Sequence, residues 1–187
     1  MDLNQILDSI YPLPKPSKEK LKKCVREVSF PKGHIILRAD RIEKKLYFIK
    51  KGIARGYSYV EENEVTFWFG KEGDAIISMR SYVDNQRSYE NIELLEASDL
   101  YEIKGDSLQQ LYTEDIHLAN WGRKFSEKEI IKAEERLISL QFLTATERYQ
   151  EILDKSPDLI NRVQLGYIAS YLGITQVSLS RIRAEIK

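Results

Sequence analysis

Hydrophobic residues recur with two different periods along this chain, and the change of period divides it into parts. Between Val25 and Ile103, short runs rich in β-branched and aromatic residues alternate with turn sequences such as PKG, KKG and GKEGD. Such runs are typical of β-strands, and a series of them separated by turns indicates an antiparallel roll or sandwich. The predicted strands are VSF, HIIL, LYFI, IARGYSYV, EVTFWF, AIIS, NIELLEA and DLYEI.

Helical spacing replaces the strand pattern on both sides of this region. Before it, LNQILDSI and SKEKLKKCV are predicted as two short cover helices, because the prolines of YPLPKPS interrupt a continuous helix. After it, Asp106 or Ser107 is expected to cap a short helix over LQQLY. A long, highly charged helix without proline then extends from about Ile116 to Phe142.

The long helix carries a series of residues at alternating four- and three-residue steps, which is the spacing of a seam between two helices. The series begins at Ala119 and Arg123, but only its second half is consistently apolar or small. The positions expected to meet a second copy of the chain are Ser126, Ile130, Ala133, Leu137 and Leu140. In the alternative interpretation, the helix packs on its own β domain through Trp121 and Phe125.

Three further helices are predicted towards the C-terminus. TATERYQEILDKSP opens with a capping box of Thr144 and Glu147 and should stop at Pro157. After a short polar link, VQLGYIASYLG and TQVSLSRIRAEI follow, and Thr175 is the expected cap of the last helix.

The last two helices have the pattern of a helix-turn-helix. Ile168 and Leu172 give an apolar face, Ala169 allows a close crossing, and Gly173 permits the left-handed turn. The second helix of such a motif enters the DNA major groove, where Arg and Gln side chains read base edges. The predicted DNA-binding residues are Thr175, Gln176, Val177, Ser178, Ser180, Arg181 and Arg183. Packing alone remains the alternative, because any two helices joined by glycine give a similar pattern.

Composition narrows the chemistry that the chain can perform. Of the 187 residues 42% are hydrophobic, and the formal net charge is zero, but acidic side chains dominate between Glu61 and Asp106. Cys24 is the single cysteine, and His34 and His117 lie in different segments. These counts exclude an internal disulfide, and we expect neither a metal site nor any other cofactor. Without a signal-like or membrane-spanning run, a cytoplasmic protein with no membrane partner is expected.

Two stretches resemble the cyclic-AMP receptor protein and fumarate-nitrate regulator family, Crp/Fnr, of bacterial transcription factors. They are FPKGHIILRADRIEKKLYFIKKGIARGY and TATERYQEILDKSPDLINRVQLGYIASYLGITQVSLSRIR, with LYFIKKG and IASYLGIT followed by LSRIR as the most specific parts. The resemblance implies an α+β protein whose N-terminal antiparallel β-roll, similar to a cyclic-nucleotide-binding jelly roll, occupies residues 1–115 with its cover helices. It further implies a dimerisation helix over residues 116–142 and a winged helix-turn-helix over residues 143–187.

The resemblance also implies partners, and the departures from the family pattern modify them. A homodimer on near-palindromic double-stranded DNA is expected, with RNA polymerase as a further possible partner. Arg181 falls where the family has an arginine that contacts a guanine, and Gln176 falls at another base-contacting position. Val177 replaces a glutamate of the family and cannot accept a hydrogen bond, so a different base pair should be preferred there. Because the sequence ends soon after Arg183, a reduced or absent C-terminal wing is expected.

The effector pocket departs further from the family. Members that bind cyclic nucleotides have a Gly-Glu pair before a short helix and an Arg-Ser/Thr pair that holds the phosphate. The nearest matches are Gly73-Asp74 and Arg87-Ser88, but counting back from LYEI places Ser88 and Tyr89 at the phosphate clamp. Asp40 also stands where the family usually has a turn glycine. Binding of a cyclic nucleotide in the usual way is therefore not expected.

An unidentified small molecule remains a possible effector. The candidate pocket residues are Phe69, Gly73, Asp74, Arg80, Arg87, Ser88 and Tyr89. The rings of Phe67, Phe69, Tyr82 and Tyr89 could line a cavity for a less charged ligand, or they could fill the roll completely.

The favoured hypothesis is a homodimeric DNA-binding transcription regulator without enzymatic activity. A dimeric small-molecule-binding or scaffold module that no longer reads DNA is the first alternative, supported by Val177 and the missing wing. A cupin-like enzyme is the second, and it is disfavoured because such enzymes gather several histidines around a metal.

Overall fold

The computed structural model describes residues 1–186 of the chain. Its helices are α1 (Leu3–Ile10), α2 (Lys15–Lys23), α3 (Met79–Asp84), α4 (Gly105–Glu114), α5 (Ile116–Phe142), α6 (Ala145–Lys155), α7 (Pro157–Arg162), α8 (Leu165–Leu172) and α9 (Gln176–Glu185). Its strands are β1 (Val25–Phe30), β2 (Ile35–Leu37), β3 (Lys45–Lys51), β4 (Ala54–Val60), β5 (Asn63–Gly70), β6 (Ala75–Ile76), β7 (Asn91–Leu94) and β8 (Ser98–Lys104).

The strands form two antiparallel sheets, which confirms the predicted α+β class. One sheet has the order β1-β8-β3-β6 and the other has the order β2-β7-β4-β5. In the first sheet, β8 pairs with β1 from Val25 opposite Ile103, and with β3 from Lys45 opposite Lys104. Each strand predicted from the sequence is present, and α5 covers the predicted length.

Two local expectations were wrong, and one short helix was not predicted. The expected polar link after Pro157 is helix α7, in which that proline occupies the first turn. Helix α3 was not predicted from the sequence pattern. Neither Asp106 nor Ser107 caps α4, because the helix already begins at Gly105 after an extended Lys104. Gly105 permits this direct passage from strand to helix, since a Cβ atom there would lie 2.3 Å from the carbonyl oxygen of Lys44.

The chain forms two compact units that are discontinuous in sequence. The roll unit consists of Met1–Gly56 and Phe69–Ile130. The C-terminal unit consists of Tyr57–Trp68, the tip of the β4–β5 hairpin, together with the described residues after Ile130. The division of the chain at residues 115 and 142 stays a prediction.

An aromatic group forms the centre of the roll unit. Trp121 and Phe125 of α5 stack with their ring centroids 6.0 Å apart, and Phe48 of β3 meets both rings edge-on. Trp121 is fully buried, and its indole Nε1 donates a hydrogen bond of 3.0 Å to the carbonyl oxygen of Leu7 in α1. The first half of α5 therefore packs on its own β domain, as the alternative interpretation of that helix held.

The C-terminal unit is a small helical core joined by the hairpin tip. Thr144 and Glu147 form the predicted capping box of α6. Ser170 of α8 accepts a hydrogen bond of 2.9 Å from the backbone N–H of Thr66, and its hydroxyl donates one of 3.2 Å to the carbonyl oxygen of Glu64. The buried apolar side chains of the helices are Tyr149, Ile152, Leu159, Val163, Ile168, Ala169, Leu172, Leu179 and Ile182. Within residues 1–186, none of the helices is long and apolar enough to cross a membrane.

Candidate nucleic-acid interface

A tight turn connects α8 to α9. Gly173 has a φ of 70°, and its N–H donates to the carbonyl oxygen of Ser170 at 3.0 Å. The N–H of Ile174 donates to the carbonyl oxygen of Ala169, also at 3.0 Å. These two bonds are the Schellman arrangement, which a left-handed glycine completes at low cost. The sequence expectation of a left-handed Gly173 is confirmed.

Thr175 caps α9 in the predicted manner. Its side-chain oxygen accepts a hydrogen bond of 3.1 Å from the N–H of Ser178, and the two hydroxyls lie 3.0 Å apart. The hydroxyl of Ser180 donates to the carbonyl oxygen of Gln176 at 3.0 Å. The three hydroxyl residues in the predicted DNA-binding set thus have partners within α9 itself.

The other predicted DNA-binding residues present their side chains on the surface of α9. Gln176 and Arg181 are exposed, Val177 is 63% exposed, and Arg183 is half-buried. Leu179 and Ile182 on the opposite side of the helix are buried against α8. Within residues 1–186, the side chains of Gln176 and Arg181 form no intramolecular hydrogen bond or ion pair. This face of α9 is therefore available to an external partner.

Two arginines from other helices hold the C-terminal end of α8. Arg148 of α6 donates to the carbonyl oxygen of Leu172 at 2.8 Å, and Arg136 of α5 donates to the carbonyl oxygen of Tyr171. The guanidinium of Arg136 also lies 3.6 Å from the centroid of the Tyr171 ring, a cation–π contact. Positive charge at these carbonyls complements the helix dipole. Sequence reasoning missed both residues, because capping from distant helices leaves no local pattern.

In the predicted effector region, Ser88 is occupied by local contacts. Its hydroxyl donates to the carbonyl oxygen of Glu90 and accepts from the N–H of Glu90, both at 3.1 Å. Its backbone carbonyl accepts a bond of 2.9 Å from the N–H of Asp40, which has a φ of 60°. Asp40 therefore adopts the left-handed backbone for which the family uses glycine. The buried Ser88 supports this turn.

The Gly73-Asp74 pair does not directly precede the short helix. The Asp74 carboxylate accepts a bond of 3.0 Å from the N–H of Lys71, so it stabilises the turn before β6. The two residues immediately before α3 are Ile77 and Ser78, and Ser78 is fully buried. Sequence reasoning missed Ser78, because locating this position required the start of α3.

The remaining candidates of the effector region lie mostly on the surface. Arg80 is exposed, and its Nε donates to the side-chain oxygen of Gln86 at 3.0 Å. Arg87 is exposed, Tyr89 is 62% exposed, and Phe69 is half-buried. The structure therefore does not gather Arg80, Arg87 and Tyr89 in an enclosed pocket.

The expected dimer seam changes character along α5. Ser126 is half-buried in the roll unit, whereas Ile130 is 66% exposed and Leu137 is 62% exposed. Ala133 and Leu140 are also exposed. The large hydrophobic side chains exposed on the second half of the helix are Ile130, Ile131, Leu137, Ile138, Leu140 and Phe142.

Comparison with known proteins places these features in a shared fold. Residues 27–115 match the cyclic nucleotide-binding domain family. FixK2 from Bradyrhizobium japonicum is similar in structure, with a TM-score of 0.72, 20% identity, and coverage of 87% of this chain and 84% of FixK2. A transcriptional regulator of the Crp/Fnr family from Eubacterium rectale gives a TM-score of 0.72 and 17% identity over 93% of this chain and 85% of that one. The fold is that of the Crp/Fnr regulators.

A third Crp/Fnr-like structure is the c-di-GMP-responsive global regulator CLP from Xanthomonas campestris. It has a TM-score of 0.68 and 17% identity, over 92% of this chain and 91% of CLP. No curated protein matches this chain in sequence. The Crp/Fnr resemblance that the sequence indicates is thus confirmed for the fold. What the protein binds has to be inferred from the residues of α9 and of the roll unit.

In residues 1–186, no group of three or more His, Cys, Asp and Glu side chains could hold a metal ion.

Proposed function

We propose that this chain is a homodimeric, sequence-specific DNA-binding transcription regulator of the Crp/Fnr type. The exposed face of α9 carries this proposal. In that face, a guanidinium, an amide and an apolar side chain lie beside one another on a helix whose other side is buried. A rigidly held helix with such a face suits the DNA major groove, in which the second helix of a helix-turn-helix lies.

Each of these three side chains suits a different base. Arg181 can donate two hydrogen bonds to O6 and N7 of guanine, and Gln176 can pair with N6 and N7 of adenine. Val177 offers no hydrogen bond, but its exposed methyl groups fit the C5-methyl group of thymine. A family member with glutamate at this position would read a different base. The operator of this protein should therefore contain a thymine at the base pair nearest Val177.

The second half of α5 supports a homodimer. Ile130, Leu137 and Leu140 are exposed at the spacing of a helix seam, and a contiguous apolar stripe of this kind marks an interaction surface. A two-fold axis along this stripe would place two copies of α9 roughly 34 Å apart, one turn of DNA. The operator is then near-palindromic.

We propose that the roll unit does not bind a cyclic nucleotide in the way that is usual for the family. Ser88 is engaged with Glu90, and no arginine occupies the clamp position. Directly before α3, where the family places a glutamate for the ribose, the chain has Ser78. A single hydroxyl cannot replace a carboxylate and a guanidinium in charge-assisted binding of a cyclic phosphate.

Selection of bound sequences from a random pool of duplex DNA tests the proposal. We expect a near-palindromic consensus whose half-sites are one helical turn apart, with affinity that falls steeply as salt is raised. A chain that has become a scaffold module would show neither enrichment nor a salt slope, and that result would refute DNA reading.

Replacement of Arg181 gives a sharper test at one base pair. Arg181→Ala should weaken binding to the selected site by about 1 to 3 kcal/mol and relax the preference at one position of each half-site. Arg87→Ala removes the same charge from the surface of the roll unit and should leave affinity and preference unchanged. A uniform loss over all DNA sequences would show that Arg181 contacts phosphate only.

A further inference from the structure

A cavity of about 330 Å³ lies in the roll unit, between the sheet and helices α3, α4 and α5. Leu46, Ile77, Leu108 and Phe125 supply apolar wall. Its volume is within the range of about 300 to 1,000 Å³ that is usual for small-molecule sites. Ser88 and the Gly73-Asp74 turn do not line it, so it is separate from the positions that match the family's nucleotide clamp.

One part of the cavity wall is polar. Tyr82 of α3, Gln109 of α4 and Tyr112 of α4 all line it. The hydroxyl oxygen of Tyr82 is buried beside Gln109 and Tyr112, but no atom among residues 1–186 completes a hydrogen bond of good geometry with it. Buried polar groups nearly always have a partner, so a hydroxyl without one calls for an acceptor from outside the chain.

Both phenols are uncharged donors near neutral pH. Burial raises the pKa of Tyr82, although Gln109 and Tyr112 lower it in part. Burial also raises the pKa of Tyr112 well above its usual range, and the neighbouring Tyr82 adds to that effect. A neutral phenol donates its proton to an acceptor oxygen, and an anionic phenolate could not.

The charges near the cavity are already balanced. Arg123 of α5 lines the cavity, but it is exposed and pairs with Glu127 one turn further along the helix. Among residues 1–186, no buried cation lines this cavity to compensate a buried carboxylate or phosphate, which would be costly to desolvate. An uncharged ligand suits this wall better than an anion.

We propose that this cavity binds a small, uncharged and mainly apolar molecule whose carbonyl oxygen accepts a hydrogen bond from the Tyr82 hydroxyl. Such a ligand satisfies the buried donor and covers the apolar wall at the same time. It also contacts Ala119 and Ser126, both on the first half of α5. The site does not depend on DNA binding by α9, so it can be tested alone.

Acetophenone and ethylbenzene are suitable probes, because they have nearly the same shape and differ by the carbonyl oxygen. Each is titrated into the full ¹⁵N-labelled chain while amide signals are followed by NMR. Both probes should shift signals from α3, α4 and α5, with acetophenone binding more tightly. Tyr82→Phe should weaken acetophenone by about 2- to 12-fold, the range for one net hydrogen bond, and leave ethylbenzene unchanged. Tyr11→Phe, a matched change at an exposed tyrosine in another region, should alter neither.

Filling the cavity should remove both probes. Ala119→Leu keeps a strong helix former in α5 and places its side chain in the cavity, and Ser126→Leu does the same if the first variant fails to fold. The proposal is overturned if neither probe shifts the wild-type signals at its solubility limit. It is also overturned if a folded filled variant still binds both probes, or if Tyr82→Phe weakens both equally.

Discussion

Glu102 on β8 is a carboxylate that the fold buries almost completely and holds between two cations. Arg26 donates to one of its oxygens at 2.8 Å and Lys45 donates to the other at 3.0 Å. Burial raises the pKa of Glu102, but the hydrogen bonds and charges of Lys45 and Arg26 lower it by more, so the net shift is downward. Because the pKa of Glu102 is lowered in the folded protein, the ionised carboxylate stabilises the folded state.

Glu102→Gln should destabilise the protein at pH 7 by about 1.5 to 3 kcal/mol, the contribution of a hydrogen bond to a charged group. A carboxyl with a lowered folded pKa contributes fully above its unfolded pKa, about 4.3, and loses that contribution as the pH falls through the folded value. The gap in unfolding free energy between wild type and variant should therefore close below about pH 4.3. Urea unfolding from pH 7 to pH 3 measures it, and a gap that stays constant would contradict this assignment.

Individual residues of the two candidate sites show what sequence reasoning can predict and what it cannot. The left-handed turn at Gly173 follows from local chemistry, because glycine adopts a positive φ without strain, and it was predicted. A turn-capping role for Asp74 was the alternative to an effector contact, and its bond to the N–H of Lys71 agrees with that alternative. The position directly before α3 belongs to Ser78, and the sequence did not show this because the start of α3 has no periodic pattern.

Gly122 lies within helix α5, where helix propensity favours alanine but packing against a neighbouring helix favours glycine. Alanine is favoured over glycine in a helix by about 1 kcal/mol. A Cβ atom at Gly122, however, would lie 2.5 Å from Cζ of Tyr112. Gly122 thus lets the Tyr112 ring of α4 lie close to the backbone of α5. We expect the clash of an added Cβ atom with this ring to cost more than the helix propensity of alanine would contribute.

Gly122→Ala is expected to lower the unfolding free energy by about 1 to 3 kcal/mol through overpacking. Gly166→Ala serves as the matched control in α8, because the nearest atom to its Cβ would be 3.9 Å away. That variant should be neutral or stabilise by up to about 1 kcal/mol. Chemical denaturation measures the unfolding free energy of both variants. Equal changes in the two variants would show that the Tyr112 side chain moves to accommodate the added methyl group.

Elements with a clear period were predictable, and short elements set by their surroundings were not. The strands between Val25 and Lys104 carry β-branched and aromatic runs, and α5 carries a long uninterrupted helical spacing. Helices α3 and α7 have six residues each, too few to display a helical period. The cavity also escaped prediction: of Phe67, Phe69, Tyr82 and Tyr89, only Tyr82 lines it, because its wall comes from separate helices.

For the whole molecule, the central prediction is a dimer held by the exposed stripe of α5. Replacing both Ile130 and Leu137 with Asp should abolish it, because unpaired charges would be buried in an apolar seam. Sedimentation velocity at micromolar concentration should show a dimer for the wild type and a monomer for the double variant. Lys128→Asp together with Glu134→Lys changes charge on the same helix without touching the stripe, and it should remain dimeric. A monomeric wild type would rule out the seam.

The response to cyclic nucleotides tests the roll unit as a sensor. Saturating cyclic AMP or cyclic GMP should not raise the melting temperature, whereas a ligand at about 100 times its dissociation constant would add about 2.7 kcal/mol to the stability. Calorimetry or a thermal shift measurement gives the answer. A clear upward shift that Arg87→Ala abolishes would restore the nucleotide sensor.

The hydrogen bonds between Ser170 and the tip of the β4–β5 hairpin set an order of events during synthesis. Thr66 precedes Ser170 by 104 residues. At about 5 to 20 residues per second, a ribosome needs roughly 5 to 20 s to supply the second partner after the first. During that interval the nascent hairpin tip lacks its helical neighbour, and unpaired strand edges can join other chains. A chaperone that covers residues 57–68 on the ribosome would therefore act at the part of the β region that is completed last.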